Sequence, residues 1–488
     1  MRLSIDPRQL PGCCRPLAFA AVVVVLSSTA VYAQKQSAPQ RAQSTTQASP
    51  AQPPAQPIAL RGGRLLTITK GTIENGVLVM ENGKITAVGP AGSVTIPKNA
   101  RIVDVTGMTV YPGLIDSESQ LGLTEISAVD STNDLVEPSD EITPHMHVYD
   151  AFHAESELIP VARTNGVTNA IVAPETTNTL PGQDSFIQLA GRSAPEMLLV
   201  RDIALPLNFT GEQRRRGGRG EGAAGGSRFP ATRMGMAAQL RQTLLDAQDY
   251  ARRWSEYEQK KTQPAATPGG GNGQQEAEAG QEARKGGRPA EPPKRDLKLE
   301  ALLPYLQGKK PVVIAADEAN DVQTAVAIAK EFNLKIVLDR VTHAQRVLDY
   351  IASLKVPVIV GTIYEDPKPD ERYDTVFRLP TELYKRGVKM AFATYGAHYV
   401  HRLPYAAGYA VAWGLPHDEA LKALTINPAE IWGVSDQLGS LEPGKIANVV
   451  VANGDPLDLK TDVKQVFIQG QEIPMTSRWT ELRDRYSK

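Results

Sequence analysis

The chain has 488 residues, 41% of them hydrophobic and 22% charged, with a formal net charge of -1. That is ordinary globular composition, with apolar material for one large core and a smaller one. A balance this near neutral excludes the strongly basic field that draws nucleic acid or an acidic membrane surface, so the default partner is a small molecule or another protein.

Residues 1–33 read as a secretory signal. Arg2, Arg8 and Arg15 supply the positive start, Leu17–Leu26 is an apolar stretch too short to span a bilayer comfortably, and Val31-Tyr32-Ala33 offers small residues where a signal peptidase reads. The protein is therefore expected to be exported, periplasmic or extracellular, with no membrane attachment in its mature form. Cys13 and Cys14 both lie inside this segment and precede the apolar run, which excludes a lipoprotein anchor. The mature chain then holds no thiolate to act as nucleophile or metal ligand. Residues 34–57, rich in Gln, Ala, Pro, Ser and Thr, predict a disordered linker.

Order is expected from Ile58. Over residues 58–110 the pattern is short β runs at Leu65–Ile68, Gly76–Met80, Lys84–Val88 and Arg101–Val105, with Glu81-Asn82-Gly83 as a hairpin turn. Over 111–432 it changes to strand–helix alternation. Apolar runs at Thr168–Ala173, Pro311–Ala315, Lys335–Leu338, Val356–Val360 and Val388–Ala393 are spaced by helix-like stretches such as Asp321–Phe332. Buried strands alternating with helices predict a parallel sheet, and this many repeats suit a closed barrel. An insertion at 211–298 interrupts the pattern. Its flanks are rich in Gly, Pro, Arg, Glu and Gln, and its centre, Met236–Tyr257, predicts an amphipathic helix. It reads as a tolerated surface insertion or as an arm that clasps a partner subunit, and the Arg214-Arg215-Arg216 run reads as a solvated patch. Strands return within 433–488, at Asn448–Ala452 and Val463–Gln469.

Two segments carry a more specific likeness. The first is Thr109-Val110-Tyr111-Pro112-Gly113-Leu114-Ile115-Asp116. The second runs from Ala423-Leu424-Thr425-Ile426-Asn427-Pro428-Ala429 through Leu438-Gly439-Ser440-Leu441-Glu442-Pro443-Gly444-Lys445-Ile446-Ala447-Asn448 to Gly454-Asp455-Pro456-Leu457. Together they resemble the amidohydrolase superfamily, in its imidazolonepropionase-like branch. The resemblance implies a (β/α)8 TIM barrel with a small β-sandwich built from N- and C-terminal segments. It also implies metal-dependent hydrolysis of carbon–nitrogen bonds other than peptide bonds.

The resemblance also locates the family's ligands, and the residues found there are of the wrong type. A His-x-His pair belongs after Asp116, where this chain has Ser117-Glu118-Ser119, with Glu118 expected to face the barrel wall. A neutral hydroxyl is a poor zinc ligand beside imidazole. The single His of the fifth strand falls on Ala315 or Asp317, and that of the sixth on Arg340, whose guanidinium has no lone pair to give. The catalytic Asp after the eighth strand falls on Tyr395, a weak base at neutral pH with a reference pKa of about 10. The carboxylated Lys of some members has no counterpart in Asp202–Leu207.

The leading expectation is thus a homologue without the metal centre or a cofactor. It would serve as a structural or regulatory partner, in a homo- or hetero-oligomer, of an active exported relative. Two alternatives stand beside it. One is a hydrolase of cyclic amides or dipeptide-like substrates that binds zinc at another site, for which His145, His147, His153, His398 and His401 are the candidates. The other is a ligand-binding protein that uses the barrel mouth, with Arg340, Asp317, Asp339, Tyr395 and His398 in the pocket. Ser117 has no evident partner base and no nucleophile-elbow pattern around it.

Overall fold

The apolar runs of the sequence assemble into two sheets of eight strands each. The computed structural model describes residues 56–210, 229–262, 291–361 and 365–487. The expected export signal, the linker up to Ala55, and residues 211–228 and 263–290 of the insertion lie outside them.

In chain order, β1 (Ile58–Leu66), β2 (Thr72–Glu81), β3 (Lys84–Pro90), β4 (Arg101–Asp104) and β5 (Thr109–Pro112) precede the barrel. The barrel strands are β6 (Leu114–Ser119), β7 (Val167–Val172), β8 (Asp184–Gln188), β9 (Leu198–Asn208), β10 (Val312–Glu318), β11 (Ile336–His343), β12 (Val358–Val360) and β13 (Met390–Phe392). After them come β14 (Val449–Ala452), β15 (Val463–Ile468) and β16 (Gln471–Ile473).

The first and last groups of strands share one sheet because β14 pairs antiparallel with β5. Strand β1 divides its own edge: Ile58–Arg61 pair with β4 while Arg64 and Leu65 pair with β5. The split lets the sheet curl around a core that includes Leu60, Leu65, Leu78, Met80, Val110, Val449 and Phe467, which makes it a β-sandwich domain. The β2–β3 hairpin turns through Asn82 and Gly83, whose φ values of 52 and 77 both lie in the left-handed region that such a two-residue turn requires.

The second sheet runs in the order β6 to β13 and closes as a barrel. The amides of Thr394 and Tyr395, just past β13, both donate to the Glu118 carbonyl of β6, at 3.2 and 3.0 Å. Each strand contributes one residue to a buried interior layer: Ile115, Ile171, Phe186, Ile203, Val313, Val337, Ile359 and Ala393. Trp432, Val434 and Leu438 seal the layer from below. A second, larger core packs the outer faces of the strands against the surrounding helices, among them Ala319–Glu331, Thr375–Lys385 and Leu403–Ala412.

In one respect the barrel departs from the parallel expectation. Strand β8 runs antiparallel to both neighbours. A parallel return needs a crossover of a dozen or more residues, and the short loops on either side of β8 carry no such crossover. The insertion contributes the long helix Arg233–Thr262, which buries Met236, Leu240, Leu244 and Ala247 against the barrel exterior.

The junction between the two domains depends on close backbone approach. A Cβ at Gly113, between β5 and β6, would lie 2.0 Å from Thr168 Oγ1 on β7. Gly113→Ala is therefore expected to destabilise the fold by about 1–3 kcal/mol through overpacking, read as a lower urea midpoint with an unchanged m-value.

Candidate active site

Side chains alternate along a strand, so the residues two positions beyond the interior layer point into the barrel mouth. That step leads from Val337 to Asp339, from Ile115 to Ser117 and from Val313 to Ala315, while Tyr395, beyond the end of β13, has a left-handed φ of 54 and is placed by that turn. On the reversed strand β8 it leads from Phe186 back to Asp184. Asp339, Ser117 and Asp184 are all at most 2% exposed.

Arg340 follows Asp339 directly and by simple alternation would face outward. Its backbone has φ 72 and that of Val341 has φ 49, both left-handed, and for a β-branched residue this is a rare conformation. The kink turns Arg340 back toward the mouth, so two consecutive side chains serve the same site. Such strain costs on the order of 1–3 kcal/mol per residue, and the surrounding contacts must hold it.

Those contacts are charged and aromatic. Arg340 Nε lies 3.6 Å from Asp339 Oδ2, and Nη2 lies 3.8 Å from Glu118 Oε1. Nη2 also donates to Thr176 Oγ1 at 3.2 Å. The guanidinium sits 4.1 Å above the centre of the Tyr395 ring, as in a cation–π contact. Tyr395 Oη in turn donates to Asp339 Oδ1 at 2.5 Å. Gly361, at the end of β12, makes room for that ring: a Cβ there would lie 2.4 Å from Tyr395 Cε2.

Glu118 is a correction to the sequence reading, which turned it toward the wall. Strand β6 loses its regular register between Asp116 and Ser119, and this irregularity brings the Glu118 carboxylate to Arg340. Asp116 is fully buried; its carboxylate accepts from the Thr394 amide at 3.1 Å and from the Thr394 hydroxyl. Ser119 Oγ donates to the Ile171 carbonyl. Ser117 Oγ, Asp184 Oδ1, Asp317 Oδ1 and Asp339 Oδ2 are buried without a hydrogen-bond partner among the described residues.

So many carboxyls around one guanidinium cannot all ionise. Burial raises Glu118 well above the usual carboxylate range, and Asp339 adds to the shift while Arg340 opposes it. Burial raises Asp184 likewise, again with Asp339 contributing. Burial pushes Asp339 up only to about 6, because Arg340 and the Tyr395 hydroxyl favour its anion. For Arg340 burial works against the charge, but Asp339, Tyr395 and Glu118 outweigh it and hold the guanidinium protonated. Tyr395 is raised well above the usual phenol value by burial and by Asp339, so it keeps its proton and serves as a hydrogen-bond donor.

Of the pocket expected from sequence, Arg340, Asp339 and Tyr395 meet, and Asp317 is close enough to act electrostatically on the first two. His398 is elsewhere, on a separate groove shared with His153. The remaining histidines are dispersed. His147 Nδ1 contacts Asp202 at 2.6 Å, His343 Nδ1 contacts Glu371 at 2.8 Å, and His417 Nε2 contacts Asp455 at 2.6 Å. Among the described residues, no three His, Cys, Asp or Glu side chains are grouped to hold a metal ion. Sequence reasoning missed Asp184, whose only signal is the short Asp184–Gln188 stretch after Pro181-Gly182, and missed Thr176 in the loop after β7.

Burial pushes the Asp116 carboxyl up to about 7, against the favourable hydrogen bonds from Thr394 and Glu118. An unfolded Asp ionises near about 4. Between these values the unfolded chain releases its proton first, so stability is full below the window and falls as pH rises through it. Asp116→Asn is expected to flatten that fall, gaining roughly 1–3 kcal/mol at about pH 8 relative to its effect at about pH 4, measured by denaturant unfolding at both.

Comparison with known proteins fits this architecture. The amidohydrolase family profile matches residues 343–473. An amidohydrolase of Hapsidospora irregularis is 26% identical over 419 residues, covering 81% of this chain and 39% of that protein. The chain thus spans well under half the length of the curated relatives it matches first. An amidohydrolase from Thermotoga maritima MSB8 superposes with a TM-score of 0.73 at 28% identity, covering 86% of this chain and 100% of that one. A prolidase complexed with N-methylphosphonate-L-proline shares the fold, with a TM-score of 0.51 at 18% identity over 86% of this chain and 99% of that one. The chain belongs to the amidohydrolase superfamily.

Proposed function

We propose that this protein is a non-catalytic amidohydrolase homologue. In this reading it has lost the metal centre that superfamily members usually carry, and it serves as a structural or regulatory partner of an active exported relative. One observation carries the reading: the Arg340 guanidinium lies within 4 Å of both Glu118 and Asp339 and stacks on Tyr395, at the C-terminal mouth of the barrel. A dication brought there would meet a fixed positive charge in a buried setting, where like charges repel strongly. Two of the carboxylates around it are already engaged, Glu118 facing Arg340 and one oxygen of Asp339 bonded to Tyr395, while Asp184 and Asp317 each keep a buried oxygen without a partner among the described residues.

The residues present therefore do not fit the family's zinc. By the likeness drawn above, Ser117, Ser119, Ala315 or Asp317, and Arg340 stand where ligands would be, and Tyr395 stands where the proton-accepting Asp would be; of these only Asp317 carries a ligand-type group. The same cluster weighs against a pocket for anions, because the charge of Arg340 is already met by its own carboxyls. Of the histidines named above for a second metal site, His153 and His398 line one groove and His145 and His147 another, with His147 bonded to Asp202, and among the described residues no third ligand-type side chain is grouped with either pair to hold a metal ion.

Elemental analysis tests the reading directly. After incubation with excess zinc and desalting, the mature chain is expected to keep less than about a tenth of an equivalent, since tight sites survive such treatment. It is also expected to show no turnover of cyclic amides or dipeptides. One bound equivalent that disappears in Asp339→Asn would overturn the loss of the centre. Native mass spectrometry of a mixture with an active exported amidohydrolase from the same cell is expected to show mixed oligomers. Separate species alone would remove the partner role.

A further inference from the structure

A groove of about 670 Å³ opens beside the barrel, on the side where β6 and β13 end. Its walls come from the loop after β6, the segment around His153–Leu158, His398, and the C-terminal helix Arg478–Tyr486. None of the residues around Arg340 lines it. The volume falls in the range of small-molecule sites.

Two properties of the lining define what would fill it. Ile126, Leu158, Trp479 and Leu482 make apolar walls, and two of them remain largely in water, Ile126 at 55% and Trp479 at 65% exposed. Trp479 sits in the first turn of its helix, which Ser477 and Thr480 fix by a reciprocal capping box. The charged part of the lining is acidic: Glu125, Glu155 and Glu157 face Arg478 as the one Lys or Arg among the described lining residues. Glu125 Oε1 is buried and has no hydrogen-bond partner among the described residues.

We propose that this groove binds an organic cation with an apolar body: a primary amine or guanidine carried on an aromatic or branched aliphatic group. The indole face and the carboxylates attract the same charge, and the apolar walls take up the body. A neutral ligand would cover Glu125, Glu155 and Glu157 without bringing them a countercharge, and an anion would meet all three carboxylates. The inference rests on the groove alone and does not depend on whether the barrel mouth holds a metal.

Isothermal titration of the mature chain with phenethylammonium tests it, with 2-phenylethanol as the neutral isostere, 3-phenylpropanoate as the anion, and spermidine as a cation without an apolar body. Phenethylammonium is expected to bind at least about tenfold more tightly than each of the other three. Glu125→Gln with Glu157→Gln, and separately Trp479→Ala, are each expected to weaken it by about tenfold while circular dichroism stays unchanged. The proposal is overturned by equal affinity for the alcohol, by tighter binding of spermidine, by variants that bind like the parent, or by no heat from the amine at millimolar concentration.

Discussion

A guanidinium keeps its charge at any pH a protein meets, so a chain that buries one must build an environment around it. Here that environment is Asp339 and Glu118 on two sides, the Tyr395 ring below and Thr176 at one edge. The arrangement organises much else at the mouth. It requires two left-handed residues in succession on β11, an irregular β6, and a glycine at the end of β12 to admit the tyrosine ring. It also bears on which carboxyls ionise: Arg340 favours the anions of Asp339 and Glu118, against the burial that raises both.

The barrel beneath is an unremarkable core by contrast. One apolar residue per strand fills its interior, and the sheet closes through the Glu118 carbonyl. A rigid layer of this kind lets residues change above it without loss of fold, since packing and chemistry occupy different levels of the same strands. The superfamily's architecture and a mouth of altered chemistry are therefore compatible in one chain.

Much of this was legible in the sequence because it depends on local pattern. The Asn82-Gly83 turn, the buried β strands from β10 to β13, the helix Ala319–Glu331 and the return strands β14 and β15 each follow from periodicity or turn chemistry. So did the meeting of Asp339, Arg340 and Tyr395, which required only that the ends of two strands, β11 and β13, converge. What the pattern hid arises where the period fails. Glu118 owes its direction to an irregular strand, and alternation alone assigns it to the wrong face; Arg340 was placed at the mouth by the family likeness, but the left-handed kink that turns it there was not legible. Asp184 was hidden because β8 is reversed by short connections, so its inward residues run against the order seen on every neighbour. His398 was misplaced because the position of a residue beyond a strand end is set by its loop and not by the strand.

In the proposed reading the Arg340 guanidinium, a fixed organic cation, occupies the place of a metal ion. Crystals grown in excess zinc, with diffraction recorded on both sides of the zinc absorption edge, measure this most directly. The account predicts no anomalous peak at the barrel mouth and clear density for the Arg340 guanidinium over the Tyr395 ring. A peak bound by Asp339 and Glu118, with Arg340 swung out of the mouth, would contradict it.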